Sequence, residues 1–157
     1  MPRPKKPVLT HEEYVFHVRL PSLSYGFRIE HNRQRREWRP FDENQTVHFV
    51  AECIWPDRFK GRESQATLWP EPTLADHKLL DADDVRRKWI GYIKATKGAF
   101  ETSISLPPPV CWQLAQAMAS GLVCSMLTNG LMEAKSMNRV TSVSFHGVEF
   151  DPVEYVG

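Results

Sequence analysis

Between Glu101 and Glu133 the chain carries no charged residue, and this neutral stretch limits the fold more than any other feature. Its centre opens Leu106-Pro107-Pro108-Pro109-Val110 and runs on to Gly130. Proline suits a first helical turn, because its φ is already helical and its missing N–H has no intrahelical partner to lose. Val110, Leu114 and Met118 then recur at four-residue steps beside Cys111, Ala115 and Leu122, with Gln113, Gln116 and Ser120 opposite. That period predicts one amphipathic helix near residues 108–120 with a wide buried face. The glutamines, Ser120 and the prolines place such a helix against protein rather than lipid, so no membrane span is expected.

Ala119-Ser120-Gly121 is a good helix stop, with Gly121 in a left-handed cap and Leu122 packing back on Met118. Leu122, Cys124 and Met126 then become alternate residues of a strand, and Asn129-Gly130 a tight hairpin turn. The alternative is a longer helix capped by Asn129-Gly130.

The rest of the chain is patterned for strands. Tyr14, Phe16, Val18 and Leu20 alternate with Val15, His17 and Arg19, and Tyr25, Phe27 and Ile29 alternate with polar neighbours beyond Pro21-Ser22; this predicts a hairpin turning at Pro-Ser-Leu-Ser. Val47, Phe49, Ala51, Cys53 and Trp55 predict a strong central strand over 46–55. A shorter strand is expected at Gln65–Trp69, stopped by Pro70 and Pro72. Thr73 with Asp76 resembles a capping box for a helical turn or two. A second hairpin turns at Lys97-Gly98, with Trp89, Ile93, Phe100, Ile104 and Leu106 as inward candidates, and Val140–Phe145 forms a last strand. The expected class is α+β: a mainly antiparallel sheet of about seven to eight strands, curled or two-layered, with the helix closing an open side.

With 157 residues, 41% hydrophobic and 25% charged, residues 11–157 are expected to form a single globular domain with its own core. Residues 1–10, with Pro2, Pro4, Pro7, Lys5 and Lys6, read as a flexible basic arm. They run into Thr10-His11-Glu12-Glu13 instead of an apolar run, so no secretory signal is expected. Cys53, Cys111 and Cys124 are odd in number and form no C-x-x-C pair, which favours a reducing, cytoplasmic setting.

A formal net charge of +1 gives no global case for nucleic acid, so that case rests on one basic segment, His31–Pro40. Arg33, Arg35, Arg36 and Arg39 could meet phosphates while Trp38 stacks on a base; the competing reading is a solvated edge strand. No phosphate cradle, nucleophile elbow or zinc-ligand pair is present. Asp81, Asp83 and Asp84 lack the glycine and distal glutamate of a calcium loop. The acid–base candidates are His48 and Glu52 on one strand face, with His31, Asp57, His77 and His146 as separate residues, but the four strand residues from His48 to Glu52 span roughly 13 Å, too far for a direct bond. Cys53 and Cys111 fall on apolar faces and read as inert core.

No metal and no cofactor is expected, and a noncatalytic protein is favoured over an enzyme. The leading expectation is a protein-interaction or assembly module, with a protein partner or self-association through an exposed strand edge or an aromatic patch; Trp38, Trp55 and Trp69 are the aromatics to watch. The alternatives are a nucleic-acid-contacting accessory protein using the arginine segment, and a small-molecule binder or hydrolase with a pocket between helix and sheet anchored by His48, Glu52 or His146.

Overall fold

The computed structural model describes residues 10–32, 37–74, 89–134 and 136–149. Seven strands are present among them: β1 (His11–Asn32), β2 (Glu37–Trp55), β3 (Glu63–Pro70), β4 (Gly91–Ala95), β5 (Phe100–Leu106), β6 (Ser125–Ala134) and β7 (Met137–His146). One α-helix, α1 (Pro108–Ala119), joins β5 to β6. The strands close into a barrel in the order β1-β2-β3-β5-β4-β7-β6, with β6 returning to β1. Every pairing is antiparallel except β3 with β5, which is parallel. The expected α+β character and single helix are present, but the curled or two-layered antiparallel sheet is replaced by a mixed, closed barrel. Closure removes the sheet edges that an open sheet would have to protect.

Inward positions follow the two-residue period. Tyr14, Phe16 and Val18 of β1, Val47, Phe49, Ala51 and Cys53 of β2, and Ala66 and Leu68 of β3 are buried in one core with Ile93, Phe100, Ile104, Met126 and Val140. Polar side chains inside the wall include Ser64 and Thr102, joined by a 2.7 Å hydrogen bond. At one mouth Phe59, in a 3₁₀ turn at Asp57–Phe59, stacks on Tyr14 and tilts against Phe100 at ring distances of 6.1 and 5.5 Å. Arg58 and Arg62 cover the Phe59 ring from 4.7 and 5.7 Å. Burial pushes the Cys53 thiol up to about 12 and that of Cys111 to about 11, which suits an inert core role.

The other mouth is covered by α1. Its first turn holds Pro108 and Pro109, and it ends before Gly121, whose φ of +77° is the left-handed cap expected. Cys111 and Met118 are buried, with Leu114, Ala115 and Trp112 packed against the core. Val110 is 36% exposed, so the buried face starts one residue later than the four-residue steps indicate. Leu122 does not pack on Met118: the left-handed turn leaves it 72% exposed, and Val123 packs against the core instead.

Three further sequence expectations are corrected. Pro21-Ser22 is not a hairpin turn, because β1 runs straight through to Asn32 with one extra residue between Arg19 and Ser22. Asn129-Gly130 is not a turn either, since both lie inside β6. Gly130 is required there by close approach, as a Cβ would collide with Asn138 Oδ1 and the Arg139 carbonyl. Trp89 lies before β4 and is 42% exposed, with the Arg139 guanidinium 5.0 Å over its ring. Thr73 lies within a 3₁₀ turn at Pro72–Leu74 and donates to Glu71 Oε1; the helical turn or two expected beyond it, with Asp76, His77, Asp81, Asp83 and Asp84, lies outside the described residues, as do residues 1–9.

Candidate functional site: a neutral aromatic cleft at the barrel mouth

The two longest strands outrun the barrel. β1 pairs with β6 only from His11 to His17, and β2 pairs with β3 only from Val47 to Glu52. Beyond those limits β1 and β2 continue paired to each other as far as Asn32 opposite Glu37. From Ser22 to Asn32 this two-stranded ribbon reaches roughly 35 Å at about 3.3 Å per residue.

The extra residue on β1 sets what the ribbon displays. Arg19 stands opposite Val50 and Ser22 opposite His48, so three steps on β1 match two on β2. Leu20, with φ of +52°, occupies this bulge. Interior-facing positions on β1 therefore change from even numbers (Tyr14, Phe16, Val18) to odd ones (Leu23, Tyr25, Phe27). Leu23 and Tyr25 stand opposite Val47 and Gln45, on the continuation of the core face. With no barrel wall beyond them, Leu23, Tyr25 and Phe27 are 60%, 58% and 54% exposed.

Two adjoining hollows lie between this ribbon and α1. The first, about 380 Å³, is lined by Asn44, Gln45, Trp69, Pro70, Pro72, Pro108 and Trp112. The second, about 340 Å³, is lined by Leu23, Tyr25, Gln45, Trp112, Ala115 and Gln116. Gln45 and Trp112 belong to both, so the hollows form one open cleft. Among the described residues, no charged side chain lines it. Its polar groups include the side-chain amides of Asn44, Gln45 and Gln116, and among the described residues the indole N–H groups of Trp69 and Trp112 donate no hydrogen bond.

The acid–base candidates are not brought together. His48 is exposed on the outer wall, where its ring nitrogens bond the hydroxyls of Thr46 at 2.9 Å and Thr67 at 3.1 Å. Glu52, on the same face, is engaged by Arg19 at 3.3 Å, and Arg19 also pairs with Glu63. His146 ends β7 and bonds Ser144 at 2.8 Å; β6 and β1 stand between its strand and β2. None of the three lines the cleft. No group of three His, Cys, Asp or Glu side chains among the described residues could hold a metal.

Arg33, Arg35 and Arg36 lie outside the described residues. Trp38 and Arg39 are placed in β2 near the far end of the ribbon, opposite His31 and Glu30. Of the aromatics singled out in the sequence, Trp69 reaches the cleft, whereas Trp55 sits at the opposite end of β2. Trp112 and Gln45 were hidden, one in a helix that reads as core and the other just ahead of a strand start. The available signal was the run Leu20–Phe27, eight residues without a charge in a stretch otherwise read as half-solvated.

No family model, curated protein or solved structure matches this chain. No helix among the described residues is long and apolar enough to cross a membrane.

Proposed function

We propose that this chain is a noncatalytic protein-interaction module whose cleft between the β1–β2 ribbon and α1 takes an extended, uncharged, proline-bearing segment of a partner protein. The observation that carries this reading is the lining itself: Trp69, Trp112 and Tyr25 share the cleft with side-chain amides and, among the described residues, with no charged group. A polyproline II segment lays its rings on aromatic faces and leaves its backbone carbonyls unpaired, ready to accept from indole and amide N–H groups. A neutral lining gives nothing to phosphate, so a polyanion is disfavoured in this cleft. The three cysteines are free, which supports a reducing compartment such as the cytoplasm.

The test is a titration of the full chain with a polyproline peptide, followed through the indole N–H signals in heteronuclear NMR, with a Gly-Ser peptide of equal length as control. Saturable shifts of the Trp69 and Trp112 signals, unchanged by added salt and lost in Trp112→Ala, are expected. Shifts absent, or equal for both peptides, would overturn the reading.

A further inference from the structure

The ribbon has two backbone edges beyond the barrel, and they differ in chemistry. The β2 edge, from Glu37 to Glu43, carries Glu37, Arg39, Asp42 and Glu43 together with Pro40, which has no N–H. Charge and proline are the devices that discourage edge pairing. On β1 the run Ser22–Phe27 has neither.

The direction of the β1 backbone groups follows from one bond. Val18, an inward-facing residue, donates its N–H to Cys124 O at 2.9 Å, on the β6 side. In a strand, residues whose side chains share a face also send their N–H and C=O to the same edge. Leu23 and Tyr25 share the face of Val18 once the bulge is passed, so their backbone groups point to the edge that β6 no longer covers. Among the described residues nothing bonds them there. An apolar row and an open row of hydrogen-bonding groups thus coincide on Leu23 and Tyr25, in a two-stranded ribbon that is marginal without a third strand.

We infer that this β1 edge pairs with the β1 edge of a second copy, antiparallel about a two-fold axis, to give a continuous ribbon ordered β2-β1-β1-β2. A two-fold perpendicular to the sheet keeps the Leu23 and Tyr25 rows of both copies on one face and places the two barrels at opposite ends of the paired segment. The uncharged run accepts its own copy without placing like charges opposite one another. The inference uses the backbone edge rather than the cleft, and it stands or falls apart from peptide binding.

Sedimentation velocity on the full chain over a range of micromolar concentrations tests it. A reversible dimer is expected. Tyr25→Pro removes an outward N–H and leaves the ladder to β2 intact, so it weakens dimerisation by roughly tenfold or more, since a hydrogen bond is lost in each copy. Leu23→Lys, at an exposed site, does the same through charge and keeps the test valid should the proline variant fold poorly. Single cysteines placed at Leu23, Ser24 and Tyr25 in turn locate the axis, because the position on it cross-links to itself. A monomer at every concentration, or a dimer that neither variant weakens, would overturn the inference; a monomer that still binds polyproline would leave the cleft reading standing alone.

Discussion

Leu23 and Val47 face each other across β1 and β2, yet Val47 is fully buried and Leu23 is 60% exposed. The boundary of the barrel passes between two residues of one cross-strand pair. On one side of it, the alternating apolar face stabilises the core by roughly 25 cal/mol for each Å² removed from water. On the other, the same face continues uncovered among the described residues, leaving Leu23, Tyr25 and Phe27 more than half exposed.

Close approach at Gly91 and Gly130 yields a stability prediction. A Cβ at Gly91 would overlap the Ser103 carbonyl, and one at Gly130 the Arg139 carbonyl, both rigid backbone, whereas one at Gly98 meets nothing within 4 Å. Gly91→Ala and Gly130→Ala are expected to lose about 3 kcal/mol each, and Gly98→Ala to be neutral or to gain about 0.5 kcal/mol. Urea denaturation of the three variants measures this. Similar midpoints for all three would mean that neither close approach constrains the barrel.

These glycines also mark where sequence reasoning stops. The alternation of Tyr14, Phe16 and Val18, the 47–53 face, the Lys97-Gly98 turn and the helix with its Gly121 stop were legible, because each is set by neighbours a few residues apart. Gly130 was not: a glycine after an asparagine signals a tight turn locally, and only the β7 backbone beside it shows that the glycine serves packing. Pro21 misled similarly, since proline breaks a ladder in general but is tolerated beside a bulge. The parallel β3–β5 pair joins Gln65 to Glu101, 36 positions on, and closure joins His11 to Leu131, 120 positions on. The cleft depends on how far β1 and β2 outrun β3 and β6, a difference of lengths that no single strand carries.

The buried thiols predict a falling stability in alkali. Cys53 and Cys111 ionise in the fold only near 12 and 11, against an ordinary value of 9.0. Above pH 9 the unfolded chain therefore binds fewer protons than the folded one, and stability drops as pH rises towards 11–12. Denaturation midpoints measured from pH 8 to 11 should decline, and Cys53→Ala should flatten the decline. In the same range a thiol reagent is expected to label half-buried Cys124 before the other two; equal rates at all three would contradict their burial.

Phe59 closes the mouth opposite α1. It touches Tyr14 and Phe100 and lies under two guanidinium groups, while Arg62 also donates to the Thr96 carbonyl at 2.6 Å. Phe59→Ala should cost about 2–3 kcal/mol, below the cost at a fully buried site because the ring is only partly covered. Arg62→Ala should cost about 1–2 kcal/mol through the lost hydrogen bond and ring contact. By contrast Glu63→Gln, which touches only the exposed Arg19 pair, should cost less than about 1 kcal/mol and less still in high salt. Thermal unfolding in low and high salt ranks the three, and a loss for Glu63→Gln as large as for Phe59→Ala would refute the ordering.

Leu20 holds the bulge in a conformation that costs an L-residue roughly 1–2 kcal/mol, and its side chain, 71% exposed, recovers little of that by packing. Glycine adopts the same φ without strain and loses about 0.5–1 kcal/mol in chain entropy, so Leu20→Gly should leave stability unchanged or raise it by up to about 1 kcal/mol. Leu20→Val puts a β-branched side chain into the left-handed region and should cost more than about 1 kcal/mol. Because the bulge aims Leu23 and Tyr25 at the cleft, Leu20→Gly should also preserve polyproline binding and dimerisation. Chemical denaturation combined with the NMR titration checks both points. A glycine variant that is less stable than its valine counterpart would show that the bulge is held by contacts of the Leu20 side chain, not tolerated in spite of it.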